Sequence, residues 1–211
     1  MALPRTTTIA IAGSQHTLEG RLQRVEGSSE LAVVAPPHPL HGGTIGNPAV
    51  RVLERALNRA GLSTLAFNFR GTGESSGSPS EDPSEAHSDY RAALASVPDL
   101  RPTWLTGYSF GSVAALTTAI ELSIPHVLML APPLGLLDPV LPPKYRGQLA
   151  IAVGDDDEYA PTDAVRERFA QCPNVLLELI EGVDHFFLGS QLEPLSAALD
   201  RLLTAARAVQ S

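Results

Sequence analysis

The 211 residues can bury one substantial core, and 44% of them are hydrophobic, as is typical of a globular chain. The 15 Lys and Arg side chains against 23 Asp and Glu give a charge of −8 without a basic cluster, so no nucleic-acid partner is expected. The single cysteine, Cys172, excludes an internal disulfide and fits a reducing compartment. Residues 1–15 lack an apolar signal segment and no run reaches membrane-spanning length, so we expect cytoplasmic residence and no membrane partner.

Hydrophobic periodicity predicts a hairpin followed by alternating strands and helices. Residues 6–12 and 16–26 alternate around a short polar turn, which predicts an antiparallel hairpin. Further strands are predicted at residues 31–35, 62–69, 102–106, 126–130, 149–153 and 175–180. Helices are predicted at residues 49–60, 81–97, 109–122, 161–170 and 192–209. This alternation predicts one α/β domain over residues 1–211, with a mostly parallel sheet covered on both faces and its chemistry in the loops after the strands.

The segment Gly107-Tyr108-Ser109-Phe110-Gly111 joins a predicted strand to a predicted helix. A serine on such a sharp turn exposes its Oγ, and the N–H of the next residue faces the same space. The turn brings the positions two before and two after the serine close together, so both must be glycine. The context therefore predicts that Ser109 is a nucleophile.

A nucleophilic serine requires a base, and His185 is the best candidate. It follows the last predicted strand by a short loop, which places it at the carboxyl edge of the sheet. His16 lies in the hairpin, His87 in a helix and His126 at the opposite strand end, so all three are expected to be structural or solvated.

An acid that orients the base should follow an earlier strand at the same edge. An acidic run follows the strand that ends at residue 153, and we choose Asp157 from it. The alternatives, which spacing alone leaves open, are Asp155, Asp156 and Asp138. Asp184 adjoins His185, but neighbouring side chains point apart in an extended loop, so it is a poor orienter.

The order Ser109, Asp157, His185 resembles that of the α/β-hydrolase superfamily, in which serine, acid and histidine follow one another along the chain. The resemblance covers nearly the whole chain. Several segments are closer still to a small bacterial branch of uncharacterised, capless α/β hydrolases. These segments are residues 37–43 (PHPLHGG), 69–75 (FRGTGES), the serine turn, residues 154–161 and residues 184–187 (DHFF).

The resemblance implies a role for individual residues. In that branch a glycine-x-x-aspartate sequence after the strand carries the acid, which is Asp157 here and resolves the choice. The fold is also related to dienelactone hydrolases and to the catalytic domain of X-Pro dipeptidyl peptidases. Dienelactone hydrolases use a cysteine nucleophile, so Ser109 argues against their chemistry.

Two backbone amides are expected to form an oxyanion hole. One is the N–H of Phe110 at the helix start, where unpaired amides favour negative charge. The resemblance implies the second: His38-Pro39-Leu40 occupies the place of the superfamily's His-Gly-x, which makes the Leu40 N–H the best candidate and His41 the next. Pro39 has no N–H and cannot serve.

Other polar residues of these loops receive simpler interpretations. His38 and His41 could suggest a metal site, but no third ligand is near, and no metal or cofactor is expected. His38 is expected to pack in its loop through ring hydrogen bonds. Arg70 and Glu74 are expected to form a loop salt bridge or a backbone tie in preference to contacting substrate.

Only residues 131–147 separate two predicted strands where many hydrolases of the superfamily insert a helical lid, and this interval is too short for one. We therefore expect an open site for a small-molecule substrate, bordered by apolar side chains. The candidates for this border are Leu134, Leu136, Phe186 and Phe187.

Three functions compete at this stage. The leading hypothesis is a carboxylic-ester (or thioester) hydrolase that forms an acyl-enzyme. A peptidase or acyltransferase on the same three residues is the second, and a non-catalytic binding protein that kept the fold is the third. The natural substrate and the oligomeric state do not follow from the sequence.

Overall fold

Eight strands form one mixed sheet in the structure, a computed structural model in which residues 3–137 and 146–208 are described. The strands are β1 (Arg5–Ala12), β2 (Thr17–Arg24), β3 (Glu30–Ala35), β4 (Ser63–Phe67), β5 (Arg101–Tyr108), β6 (His126–Leu130), β7 (Gln148–Gly154) and β8 (Val175–Ile180). Their order across the sheet is β1-β2-β4-β3-β5-β6-β7-β8. Strands β1 and β2 form the predicted antiparallel hairpin, and β2 pairs antiparallel with β4. The six strands β3 to β8 are parallel to one another. The predicted fold class is confirmed.

Five α-helices cover the two faces of the sheet in the described residues. They are α1 (Pro48–Arg59), α2 (Pro83–Ala95), α3 (Phe110–Leu122), α4 (Thr162–Phe169) and α5 (Leu192–Ala208). Helices α2, α3 and α4 contribute to the core on one face, and α1 and α5 contribute to the core on the other. Because both faces are covered, β3 carries an unbroken apolar run, Leu31 to Ala35, that is fully buried. No helix in the described ranges has the length and apolar character needed to cross a membrane.

Helix α2 begins later than the prediction because of its cap. Asp82 accepts a hydrogen bond from the Ser84 N–H (2.8 Å) and Pro83 takes the first helical position, where its missing N–H costs nothing. Strand β5 extends beyond the predicted residues because Gly107 and Tyr108 still pair with β6. Both departures lie next to the site.

The parallel strands bring their following loops together at one edge. These loops are residues 36–47 after β3, 68–82 after β4, 131–137 (as far as it is described) after β6, 155–161 after β7 and 181–191 after β8. The turn between β5 and α3 lies among them. The carboxyl edge of the sheet therefore gathers every residue that the sequence nominated for chemistry, apart from Asp138, which lies outside the described residues.

Candidate active site

Ser109 occupies a strained backbone conformation with positive φ between β5 and α3, with φ 54° and ψ −123°. A non-glycine residue in this region is strained, by about 1–3 kcal/mol in general, and such strain concentrates at functional positions. Its N–H donates to the Leu130 carbonyl (2.8 Å), which ties the turn to β6. The predicted sharp turn is present, and it presents the serine at the edge of the sheet.

The two flanking glycines permit this turn. A Cβ on Gly107 would lie 2.3 Å from the carbonyl group of Gly111, and a Cβ on Gly111 would lie 2.3 Å from the Pro36 carbonyl oxygen. Both neighbours are backbone atoms, which cannot move aside cheaply. The close approach that the sequence predicted is confirmed, and it also brings the loop after β3 against the start of α3.

His185 reaches Ser109 from the loop after β8. The Ser109 Oγ lies 2.9 Å from His185 Nε2, and both residues are more than nine-tenths buried. The other ring nitrogen, Nδ1, lies 2.8 Å and 2.9 Å from the two carboxylate oxygens of Asp157. A carboxylate only accepts hydrogen bonds, so Nδ1 carries the proton and Nε2 is free to accept one from the serine.

Asp157 is fixed at the end of β7 by backbone amides. The N–H groups of Tyr159 (2.9 Å) and Ala160 (2.8 Å) both donate to Oδ1 of Asp157, and the side chain is fully buried. The structure thus joins residues 109, 157 and 185 in one hydrogen-bonded chain. Gly154 allows the loops after β7 and β8 to meet, because a Cβ there would lie 1.9 Å from the Val183 carbonyl oxygen.

The other acidic residues of these loops have separate structural contacts. Asp155 Oδ1 accepts from the Gly182 N–H (2.7 Å), and Asp184 Oδ1 accepts from the Phe186 N–H (2.8 Å), so each stabilises the loop that carries His185. Asp156 is exposed. Asp138, the remaining alternative, lies outside the described residues. Of the described alternatives, only Asp157 contacts the imidazole.

Tyr108 is a contact that the sequence argument missed. Its hydroxyl donates to the backbone carbonyl of His185 (2.6 Å), and its ring packs against the imidazole with centroids 5.7 Å apart. Burial, with the negative charges of Asp157 and Asp184, raises the pKa of Tyr108 above its ordinary value, so it remains a donor. Its place immediately before Ser109 at a strand end was the available signal.

The two expected oxyanion donors differ in what the structure offers. Phe110 is the first residue of α3, so its N–H has no carbonyl one turn earlier to bind. Leu40 lies in a short 3-10 helix, Pro39–His41, and its N–H donates to His38 Nδ1 (3.3 Å), while the His41 N–H donates to the His38 carbonyl (3.1 Å). The Leu40 side chain is 49% exposed, and Leu40 is not among the residues that line the cavity at Ser109. The oxyanion role of Leu40 stays a prediction.

A cavity of about 470 Å³ opens beside Ser109 and His185. One wall is apolar and aromatic and contains Leu136, Leu137, Tyr159 and Phe186. The Tyr159 ring lies 4.9 Å from the imidazole of His185, and the Phe186 ring meets it edge-on at 5.7 Å. The volume is in the range of small-molecule sites.

The expected apolar border is right in part. Leu136 (70% exposed) and Phe186 (53% exposed) line the cavity, as expected. Phe187 does not: it is fully buried beneath the loop and packs on the Tyr108 ring at 5.7 Å. Leu134 is partly buried against the core and is not a lining residue. Adjacent residues of the loop face opposite sides, so only one of the two phenylalanines can reach the site.

The opposite wall is polar and contains His38, His41, Asn47 and Glu81. The two imidazoles stack with centroids 4.5 Å apart, and burial and the neighbouring His41 lower the pKa of His38. The Leu40 N–H donates to Nδ1 of His38, so the ring proton of the neutral tautomer resides on Nε2. The predicted packing of His38 through its ring is confirmed. Nothing in the sequence argument indicated Asn47 or Glu81.

Structural contacts, as expected, are made by Arg70, His16, His87 and His126. Arg70 binds the buried Asp89 (2.7 Å) and Glu85 (2.7 Å) of α2, not Glu74, and does not line the cavity. His16 also contacts Asp89 (2.8 Å). His87 contacts Thr118 and Glu121, His126 stacks on Trp104, and Glu74 is exposed. Across the described parts of the chain, no group of three or more His, Cys, Asp and Glu residues is arranged to hold a metal ion.

Comparisons with known proteins find relatives that share this fold. The model of the alpha/beta hydrolase family matches residues 40–204. A solved alpha-beta serine hydrolase homologue from Coxiella burnetii is 31% identical, with a TM-score of 0.84, and the match covers 92% of this chain and 96% of that one. A solved serine hydrolase without a lid from Xanthomonas campestris is 26% identical, with a TM-score of 0.82, and the match covers 95% of this chain and 94% of that one. An uncharacterized protein from Rickettsia prowazekii is 28% identical over 91% of this chain and 87% of its own length.

Proposed function

Because this chain belongs to the alpha/beta hydrolase family, we propose that it is a serine hydrolase that cleaves a small carboxylic ester through an acyl-enzyme. The observation that carries the proposal is the unbroken contact chain from the Ser109 hydroxyl through the His185 imidazole to the Asp157 carboxylate. These three side chains, which come from three separate loops, have the hydrogen-bonding distances that general-base activation of a serine requires.

The reaction proceeds in two halves. His185 Nε2 accepts the hydroxyl proton while Ser109 Oγ attacks the ester carbonyl, and the resulting oxyanion binds the Phe110 N–H. The C–O bond to the alcohol breaks as the imidazolium returns its proton to the departing oxygen. Water then attacks the acyl-serine with His185 again as base, which releases the acid and restores Ser109. Asp157 remains ionised throughout and stabilises the imidazolium.

The shape of the cavity supports a small acyl group. Its volume is about 470 Å³, and its apolar lining includes the exposed residues Leu136 and Phe186. Only residues 131–147 connect β6 to β7, so no lid domain is available to enclose a long chain. We therefore expect short acyl esters to react faster than long ones.

A serine-directed fluorophosphonate probe tests the nucleophile. The wild-type chain should be labelled and Ser109→Ala should not, because the probe phosphorus bonds only to an activated hydroxyl. Ser190→Ala, which removes an exposed serine hydroxyl outside the site, is the matched control and should be labelled like the wild type. Wild-type protein that resists the probe would leave the non-catalytic alternative in place.

A substrate panel separates the reaction classes. Short p-nitrophenyl esters should be hydrolysed by the wild type and not by Ser109→Ala, while X-Pro amides should remain intact. Turnover of the amides instead would favour a peptidase. Labelling by the probe without hydrolysis of either substrate would favour an acyltransferase.

A further inference from the structure

The loops that surround the site carry an excess of negative charge. The described acidic residues of the loops after β4, β7 and β8 are Glu74, Glu81, Asp82, Asp155, Asp156, Asp157, Glu158, Glu181 and Asp184. In the same described loops the only cationic side chain is Arg70, and its guanidinium is bound to Asp89 and Glu85 of α2. Much of the excess of acidic side chains in the chain therefore lies at the edge where substrate must enter.

One of these carboxylates lines the cavity itself. Glu81 is part of the polar wall, with Oε2 at 3.7 Å from the Nε2 of His38, and its side chain is 71% exposed. Among the described lining residues no Lys or Arg is present, and Glu81 supplies the only carboxylate. Asp157, whose buried carboxylate contacts His185, also accepts hydrogen bonds from two backbone amides, so it is already paired.

We propose that the site discriminates substrates by charge, selecting neutral and cationic esters over anionic ones, with Glu81 as a specificity-determining residue. The inference rests on the proposed ester hydrolysis. A cationic group on the alcohol side of the ester gains attraction from Glu81, while a carboxylate, sulfonate or phosphate at the same place meets repulsion and finds no described cation to bind. The negative field of the whole edge adds to this selection during approach.

The selection has consequences for substrate classes. Thioesters whose thiol carries phosphate groups and lactones or esters that bear a free carboxylate are disfavoured. Esters of neutral alcohols and of amino or quaternary ammonium alcohols are favoured. In this proposal the apolar residues Leu136 and Phe186 face the acyl part, and Glu81 faces the head of the alcohol.

Three thioacetates of matched length provide the test, with heads that are cationic (trimethylammonium-ethyl), neutral (3,3-dimethylbutyl) and anionic (sulfonato-ethyl). The released thiol is detected with a chromogenic aromatic disulfide reagent, and kcat/KM is measured for each thioacetate. In the wild type we expect the order cationic, neutral, anionic. Glu81→Gln should lower the cationic-to-neutral ratio about fivefold, which corresponds to one charge pair near 4 Å in a water-like dielectric, and the cationic-to-anionic ratio by about the square of that factor, because the repulsion of the anion is lost as well.

Glu74→Gln is the matched control, since it removes the same charge from the same loop at an exposed residue outside the cavity lining. It should leave the ratio within twofold of the wild type. Raising the ionic strength from about 0.01 M to 1 M should also reduce the wild-type ratio, because the screening length falls from about 30 Å to 3 Å.

The outcomes separate the two proposals. Turnover of the neutral thioester with equal rates for the charged pair, or with a preference for the anion, overturns the charge selection and leaves the hydrolase proposal standing. Equal effects of Glu81→Gln and Glu74→Gln would refute the role of Glu81. Failure of the wild type to hydrolyse both the neutral thioester and short p-nitrophenyl esters would overturn the proposed function, and the charge selection with it.

Discussion

Replacement of Asp157 by asparagine should nearly abolish turnover by changing which nitrogen of His185 carries the proton. Two backbone N–H groups, from Tyr159 and Ala160, converge on Oδ1 of Asp157. In the variant these donors hold the amide oxygen at the Oδ1 position, which turns the amide NH₂ toward His185 Nδ1. An NH₂ donor there leaves Nδ1 unprotonated and places the ring proton on Nε2, so the base can no longer accept the proton of Ser109.

The expected loss follows from this tautomer change. An equivalent substitution in a serine triad lowers kcat by about 10⁴-fold, or about 5.4 kcal/mol of transition-state stabilisation at 1.36 kcal/mol for each factor of ten. The shape of the residue is kept and both amide contacts persist, so the folded structure should survive. The loss should therefore appear in kcat for a short p-nitrophenyl ester, with little change in KM or in the thermal unfolding midpoint.

Asp156→Asn is the matched control, because it makes the same chemical change one residue earlier at an exposed side chain. It should retain wild-type kcat. A turnover of Asp157→Asn above one-tenth of the wild-type value would refute the argument. Equal losses in the two variants would show that loop charge matters and hydrogen-bond geometry does not.

Three further substitutions test neighbouring contacts. Tyr108→Phe removes the hydroxyl that donates to the His185 carbonyl, so the free energy of unfolding in urea should fall by about 1 kcal/mol. We also expect kcat to fall about tenfold, and an unchanged kcat would exclude a role of Tyr108 in positioning His185. Gly111→Ala forces a Cβ to 2.3 Å from the Pro36 oxygen and should lower the free energy of unfolding by about 3 kcal/mol. Gly46→Ala, whose Cβ meets only the Thr44 hydroxyl at 3.3 Å, should lower it by less than about 1 kcal/mol, and similar losses in the two variants would contradict the packing argument. Leu40→Pro deletes the N–H predicted from the sequence as the second oxyanion donor, which in the structure donates to His38 Nδ1 (3.3 Å). If this amide turns to the oxyanion during the reaction, kcat should fall about 100- to 1000-fold, whereas a kcat within threefold of the wild type would assign the second donor elsewhere.

The sequence predicted the contacts among the candidate site residues where local pattern and chemistry agree. The predicted strands at residues 126–130 and 175–180 match β6 and β8, since both are apolar runs bounded by polar or turn residues. The contact of Ser109 with His185 followed from two strand-to-loop positions, because parallel strands bring their carboxyl ends to one edge. Spacing alone could not choose among the aspartates of the acidic run. That choice depends on the backbone of residues 157–160, which folds two amides onto one carboxylate oxygen.

Other features depend on contacts that periodicity does not encode. The strand order places β4 between β2 and β3, a pairing between segments far apart in the chain. Phe186 and Phe187 are identical in chemistry, and only the turn of the loop, with φ 50° at Phe187, sends one into the cavity and the other into the core. Tyr108 and Glu81 join the site through one hydroxyl and one exposed carboxylate. Tyr108 fills a variable position of the serine turn, and Glu81 lies outside the segments that the sequence argument used.

The backbone conformation at Ser109 creates a trade-off between the proposed activity and the stability of the fold. Its positive φ is tolerated because β6 and the two flanking glycines hold the turn in place, yet a glycine at the same position would adopt it without penalty. Replacement of Ser109 by glycine would thus relieve the backbone strain at this position and remove the proposed nucleophile. The backbone strain at residue 109 therefore lies at the same position as the hydroxyl that the proposed chemistry requires.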